Sequence, residues 1–421
     1  MDKRITDYID SRREDMIATL IRLIESPSPD KGDTEAQKIV QDILDSLGFE
    51  TERFMGSEDL VGALADYSPP GIEYSSNVFN VAGKRKGSGT KPSLMLFSHI
   101  DTEAEDCWGD FPDPFAAKRE SGRIFGLGAA DDKGGVAMML EAVRTAMHFR
   151  NEFDYDLTVM SILGKHGGAF GTLSALVKGY TGENSIYLHP AETGHGFREI
   201  KNISLGVADF DLTVRGLPGE MHDDLSEGLN ANLVLAKAIL WLDEYNQKIR
   251  NDTLFDFGSF KGKPSFLLNV GTVRSEGGYG DITQKASCKI RCRFFNPRTP
   301  DSVYKDLVSY LDGRFRSACP ESEWELKPGD FKATPVMIDN DHPFVKLVEE
   351  CITEVTGRDD FIHQYHGGSD IRLPMLYGKS NCVGIGPSCI LPEKGSGQME
   401  WIDEEDYITG IKILTDLLLS Y

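Results

Sequence analysis

Leu94-Met95-Leu96-Phe97-Ser98-His99-Ile100-Asp101 is the stretch that decides how this chain is read. An apolar strand runs directly into a histidine and an aspartate. Two later apolar runs end the same way. Leu157-Thr158-Val159-Met160-Ser161-Ile162-Leu163 leads into Gly164-Lys165-His166-Gly167-Gly168, and Ile186-Tyr187-Leu188 leads into His189-Pro190-Ala191-Glu192. Between the first two lies Gly126-Leu127-Gly128-Ala129-Ala130-Asp131-Asp132-Lys133-Gly134-Gly135, a glycine-rich turn carrying acids. It lacks the Gly-Lys-Ser/Thr ending of a phosphate loop. In an open α/β sheet, groups at the carboxyl ends of neighbouring strands converge on one crevice. These segments therefore build one site, and its residue types suit a metal.

Outward from this stretch, strands and helices alternate to about residue 200: strand 93–99, helix 134–148, strand 156–163, helix 170–178 and strand 184–188. That alternation predicts a parallel sheet with helices on its faces. Upstream, residues 5–25 and Thr34–Leu47 have helical periodicity. Near residue 203 the pattern changes to strand 207–214, helix 231–245, strands 265–273 and 284–295, helix 301–315 and strand 322–327. This β-α-β-β-α-β order is the ferredoxin-like pattern. Helix 343–356, strand 381–385 and helix 405–420 return to the first sheet. The expected domains are a discontinuous α/β domain, 1–202 with 330–421, and an inserted α+β domain, 203–329. The acidic run Asp403-Glu404-Glu405-Asp406 reads as the charged start of the last helix.

The formal charge of −22 in 421 residues argues against a nucleic-acid partner, which requires basic surface. No apolar run approaches the roughly 20 residues that span a bilayer, so no membrane partner is expected, and the start lacks a signal-peptide stretch. Seven cysteines without a close CxxC pair read as reduced thiols of a cytoplasmic protein.

Ser98-His99-Ile100-Asp101, Trp108 to Asp113-Pro114-Phe115, and the 126–135 turn resemble the M20 metallopeptidase family, with its G-H-x-D strand end, W-x-x-x-P-F segment and G-R-G-x-x-D-x-K-G-G turn. Arg215-Gly216 to His222, then Gly228-Leu229-Asn230-Ala231, resembles the G-x-x-x-H to G-x-N-A segment of its inserted domain. The family includes carboxypeptidase G2, succinyl-diaminopimelate desuccinylase, acetylornithine deacetylase and aminoacylase 1. The resemblance implies a zinc-peptidase-like catalytic domain with a mixed, mostly parallel sheet, and an inserted lid or dimerisation domain. It also implies two zinc ions bridged by an aspartate. Carried over by position, His99 binds one metal, Asp131 bridges, and Asp101 orients the His99 imidazole. His222 stabilises the oxyanion in the partner subunit's site, its alternative being a surface-loop histidine.

The chain also departs from the pattern. Where the family has a Glu-Glu pair, the first a general base and the second a metal ligand, this sequence has Lys165-His166. Where it has Glu-Pro or Asp as ligand, this sequence has His189-Pro190. The C-terminal family histidine falls on Ser396, and the glutamate four residues later on Glu400. His99, Asp131 and His189 still offer the three ligands of an open zinc site, and a lysine beside the second position opposes a second dication. One metal ion per chain rather than two is therefore expected, zinc or another divalent metal. Glu192 is the alternative ligand to His189. His166 is a metal ligand, a helix cap or a substrate contact. A lysine ordinarily carries its proton at neutral pH and makes a poor base unless burial or a nearby metal ion lowers its pKa, so Lys165 is a catalytic candidate, with His166 or Glu192 as the groups that would replace it. Within Gly367-Gly368-Ser369-Asp370-Ile371-Arg372, similar to the family's G-G-T-D-A-R, Asp370 and Arg372 pair with each other or Arg372 binds a substrate carboxylate. The resulting expectation is a homodimeric metal-dependent hydrolase of an amide or dipeptide bond in a small carboxylate-bearing substrate. The alternative is an inactive relative that binds a ligand or metal.

Overall fold

The protein is described by a computed structural model covering residues 1–28, 35–67, 78–103, 113–165, 168–191, 193–219, 228–255, 261–277, 281–367, 369–390 and 399–421. It divides into two units: Met1–Ile203 with Ile338–Tyr365 and Asp370–Tyr421, and Ser204–Met337 with His366–Ser369.

The first unit is an α/β fold on a mixed sheet. Its strands run in the order Glu50–Phe54, Asn80–Arg85, Leu157–Ile162, Leu94–His99, Asn184–Leu188, Asn381–Ile385. The last four lie parallel. Antiparallel pairs flank them, Glu50–Phe54 with Asn80–Arg85 and the latter with Leu157–Ile162 on one side, Gly384 with Lys201 on the other. Strands Leu94–His99 and Leu157–Ile162 are buried at every residue, as parallel strands covered on both faces should be. The helix Lys133–Phe149, buried over most of its length, packs against Arg13–Ile24 and Glu404–Ser420. Its start presses on the sheet: a Cβ at Gly135 would stand 2.5 Å from the Leu188 carbonyl oxygen. Only glycine permits that approach. The last helix begins at the acidic run, where the Asp403 side chain accepts from the Asp406 amide. The periodic stretch 5–25 forms two helices, Lys3–Ser11 and Arg13–Ile24, which meet at Arg12.

The second unit has the element order β-α-β-β-α-β. Its sheet runs Phe266–Glu276, Lys285–Phe294, Glu199–Arg215, Glu323–Ala333, with every neighbour antiparallel. Ala208, Phe210, Leu212 and Val214, with Cys288, Ile290, Cys292 and Phe294, share the core with Leu242 and Leu307 of its helices. The intervening residues are charged: Arg291 grips Asp209 with two bonds, 2.7 and 2.6 Å. Residues 207–214 are paired on both sides and offer no free edge. Phe266–Glu276 is an outer strand instead. Among the described residues, no helix is long and apolar enough to cross a membrane, and Cys288, Cys292, Cys319, Cys351 and Cys382 are free thiols.

Candidate metal centre

Three side chains meet at the carboxyl ends of the parallel strands. His99 ends its strand, His189 follows Asn184–Leu188, and Asp131 sits in the glycine-rich turn before the helix Lys133–Phe149. His99 Nε2 lies 2.8 Å and His189 Nε2 3.2 Å from Asp131 Oδ1. One ligand atom from each lies within 4.8 Å of the others, the one such group of three among the described residues. Metal–ligand distances of about 2.0–2.2 Å place the ligands of one ion roughly 3–3.5 Å apart. The two imidazoles and one carboxylate therefore fit a single divalent metal of borderline type.

The shell behind them fixes orientation. His99 Nδ1 is 3.2 Å from the Asp101 carbonyl oxygen and 3.4 Å from Asp101 Oδ1. An Nδ1–H donated to Asp101 turns Nε2 toward Asp131, the arrangement that supports a metal-bound histidine. The other carboxylate oxygen of Asp101 accepts the Lys165 amide at 2.9 Å. Burial opposes charge on His99, but Asp131 and Asp101 outweigh it and push its pKa up. Asp131 moves the opposite way: burial would raise it, and His99 and His189 hold it well below the carboxylate range. Burial and the Lys201 charge push His189 down to about 3, so its imidazole is neutral, as a ligand must be. Lys201 donates to the His189 carbonyl at 3.1 Å, and its Nζ is 3.3 Å from His189 Nδ1.

Lys165 Nζ pairs with Asp370 Oδ1 at 3.4 Å, and Asp370 Oδ2 accepts from Thr172 Oγ1 at 2.8 Å. Arg372 is buried and has a different partner, Asp66, at 3.7 Å. Asp370 and Arg372 thus do not pair with each other. Arg372 Nε and Nη1 make no hydrogen bond among the described residues. His166, His222, Glu192 and Ser396 lie outside the described residues.

Several buried groups at the site received no role from the sequence. Asp132 accepts from Ser98 Oγ at 2.6 Å, and burial pushes its pKa well up. Tyr187 is fully buried, its ring 4.9 Å from Phe97 and 5.2 Å from His189, and its hydroxyl makes no hydrogen bond among the described residues. Glu400, aligned from the family pattern but left without a role, accepts from the Ala130 amide at 3.1 Å, and burial with the Asp131 charge raises it to about 8. Asp132 was visible as a second acid in the turn. Lys201 and Tyr187 stand in strands where no spacing marks them.

Comparison with known proteins agrees with this arrangement. The sequence pattern of peptidase family M20/M25/M40 matches residues 95–420. The chain belongs to that family. Its resemblance at His99–Asp101 and 126–135 is thereby borne out, and this M20 protein is a hydrolase of C–N bonds. It is 29% identical over 385 residues to the N-formyl-4-amino-5-aminomethyl-2-methylpyrimidine deformylase of Halalkalibacterium halodurans, covering 84% of this chain and 82% of that protein. Two solved structures share the fold. A tripeptidase from Staphylococcus aureus has a TM-score of 0.70 at 16% identity, covering 97% of this chain and 98% of that one. A dinuclear metal-binding M20 peptidase of Bacillus subtilis has a TM-score of 0.66 at 13% identity, covering 98% of each chain.

Proposed function

We propose that this protein hydrolyses the amide bond of a small N-acyl or N-formyl substrate with one divalent metal, zinc, held by His99, Asp131 and His189. The cluster of two buried imidazoles and a half-buried carboxylate carries the reading. The deformylase name of its relative supports the substrate class. A zinc ion there supplies Lewis-acid polarisation of the carbonyl and activation of water. The protein's own groups do the rest. Asp101 holds the His99 tautomer, and the Pro190 carbonyl oxygen, 3.4 Å from His189 Nδ1, accepts the Nδ1–H that leaves Nε2 for the metal. Lys165, where the family has its general base, supplies positive charge instead. His166 is an auxiliary ligand or a substrate contact. Arg372 is the group for a substrate carboxylate, which would satisfy its two donors that lack a hydrogen bond. His222 of the partner subunit stabilises the oxyanion of a homodimer. The free, buried thiols of Cys288, Cys292, Cys319, Cys351 and Cys382 suit a reducing cytoplasm.

The test is elemental analysis of zinc-loaded, desalted protein beside a screen of N-formyl aminomethylpyrimidines, N-acyl amino acids and dipeptides. One zinc per chain is expected, with turnover abolished by a chelator, and His99→Ala should lose both. Two retained zinc ions would overturn the one-metal reading. Stoichiometric zinc without turnover on any of these amides would favour the binding-protein alternative.

A further inference from the structure

In the second unit, the end of the helix Ala231–Asp252, the start of the strand Phe266–Glu276 and the turn before the helix Pro300–Ala318 border a cavity of about 490 Å³. Small-molecule sites measure roughly 300–1,000 Å³. Leu254, Pro297 and Met337 give the cavity an apolar lining, and Leu254 and Met337 stay 56% and 40% exposed. Its one cation among the described residues is Arg298. Arg298 Nη1 donates to Ser265 Oγ and Nη2 to Thr253 Oγ1, each at 3.4 Å. Both hydroxyls are free to accept, because their own protons go to carbonyl oxygens: Thr253 Oγ1 donates to Ile249 at 2.8 Å and Ser265 Oγ to Thr253 at 3.0 Å. The Arg298 amide donates to the Phe295 carbonyl at 3.1 Å, and the guanidinium stands 5.6 Å from the centre of the Phe266 ring, within cation–π reach. The head group is thus held by neutral partners. Among the described residues no carboxylate pairs with it, although the chain carries 67 acidic residues against 45 lysines and arginines. The guanidinium keeps further N–H donors beyond its bonds to the two hydroxyls.

We propose that this cavity is a ligand site for a small organic monoanion with an apolar body, an aromatic or branched carboxylate that pairs with Arg298 and covers Leu254 and Met337. None of its residues belongs to the metal centre, and the inference stands apart from the amide-hydrolase reading. A guanidinium fork matches the two oxygens of a carboxylate. Thr253 and Ser265 hold that fork in place without neutralising it, so the charge is left for the ligand. One cation suits one negative charge: a phosphate, with its higher charge and three acceptor oxygens, finds no second cation in the lining. The apolar body discriminates against acetate, because the gain from removing apolar surface from water grows with the area covered.

The probe is para-fluorobenzoate, titrated against zinc-loaded full-length protein and followed by fluorine NMR, with acetate and inorganic phosphate as competitors. Saturable binding in the millimolar range or tighter is expected. Arg298→Gln should weaken it about tenfold or more, the equivalent of ~1.4 kcal/mol. Arg298→Lys should recover part of the loss, since an ammonium keeps the charge but not the fork. Met337→Trp should abolish binding by filling the cavity. That variant alters an exposed side chain, so it reads the site even where Arg298→Gln fails to fold. His99→Ala, which removes a metal ligand, should bind the probe as wild type does, and this separates the cavity from carboxylate binding at zinc. No saturable binding by wild type, wild-type affinity in Arg298→Gln or Met337→Trp, loss of binding in His99→Ala, or acetate or phosphate competing as well as the fluorobenzoate itself would each overturn the proposal.

Discussion

Glu400 shows how one buried acid can support a site it does not enter. Its carboxylate accepts the amides of the turn that presents Asp131, 3.1 Å from Ala130 N and 3.5 Å from Asp131 N. Burial raises it from 4.5 to about 8. A carboxyl whose folded pKa lies above its unfolded value binds more protons in the folded state. Its contribution to stability is complete below about 4.5 and is lost as pH rises through about 8. Across that window the slope from this residue is about −1.4 kcal/mol per pH unit. Urea titrations of metal-free protein from pH 5 to 9 should therefore show stability falling with pH, and Glu400→Gln should flatten the fall. A Gln variant with the wild-type slope would show that Glu400 ionises at its ordinary pKa. The sequence marked Glu400 only through the family pattern. Its burial comes from packing against a turn some 270 positions away, which no local spacing records. His99 and Asp131 were legible because each lies beside a motif that fixes its surroundings.

At the scale of elements, the joint between turn and helix governs how Asp131 is aimed. Gly135 brings the helix start against the strand that ends at Leu188, just before His189, with 2.5 Å between its would-be Cβ and the Leu188 carbonyl and 2.6 Å to Asp132 Oδ1. Backbone cannot yield as a flexible side chain can. Gly135→Ala should thus cost about 1–3 kcal/mol by overpacking, read in denaturant midpoint, and should weaken zinc retention because the turn moves with the helix. Wild-type stability in this variant would refute the close approach. The buried parallel strands were legible as apolar runs, and the helix 343–356 and strand 381–385 fall at the expected residues. The flanking strands were not: Glu50-Thr51-Glu52-Arg53-Phe54 is largely exposed and charged, and Asn80–Arg85 contains a glycine. Such segments take their conformation from pairing rather than from their own composition. Nor does composition separate an outer strand from a central one: the alternating pattern of 207–214 does not mark it as central, and nothing in Phe266–Glu276 marks it as outer.

For the whole molecule, the proposed homodimer has a candidate surface. Phe266–Glu276 is an outer strand of the second unit's sheet, and it exposes Leu267 and Val273. The helix Ala231–Asp252 packs on that strand and exposes Leu233 and Leu240, at 65% and 64%. These two leucines are seven residues apart and share one face. An unblocked strand edge invites pairing, apolar side chains grouped at a surface mark an interaction site, and two-fold pairing is the commonest way to cover both. Repulsion between chains of charge −22 weakens association at low salt, but screening shortens it to about 8 Å at physiological ionic strength. Light scattering at that salt should give twice the chain mass. The double variant Leu233→Glu, Leu240→Glu should give the mass of one chain, with the zinc site intact and amide hydrolysis lost, because His222 of the partner subunit no longer completes the site. Wild type at one chain mass across micromolar concentrations would remove the dimer. A monomeric variant with full turnover would keep the dimer and assign the oxyanion to a group within the same chain.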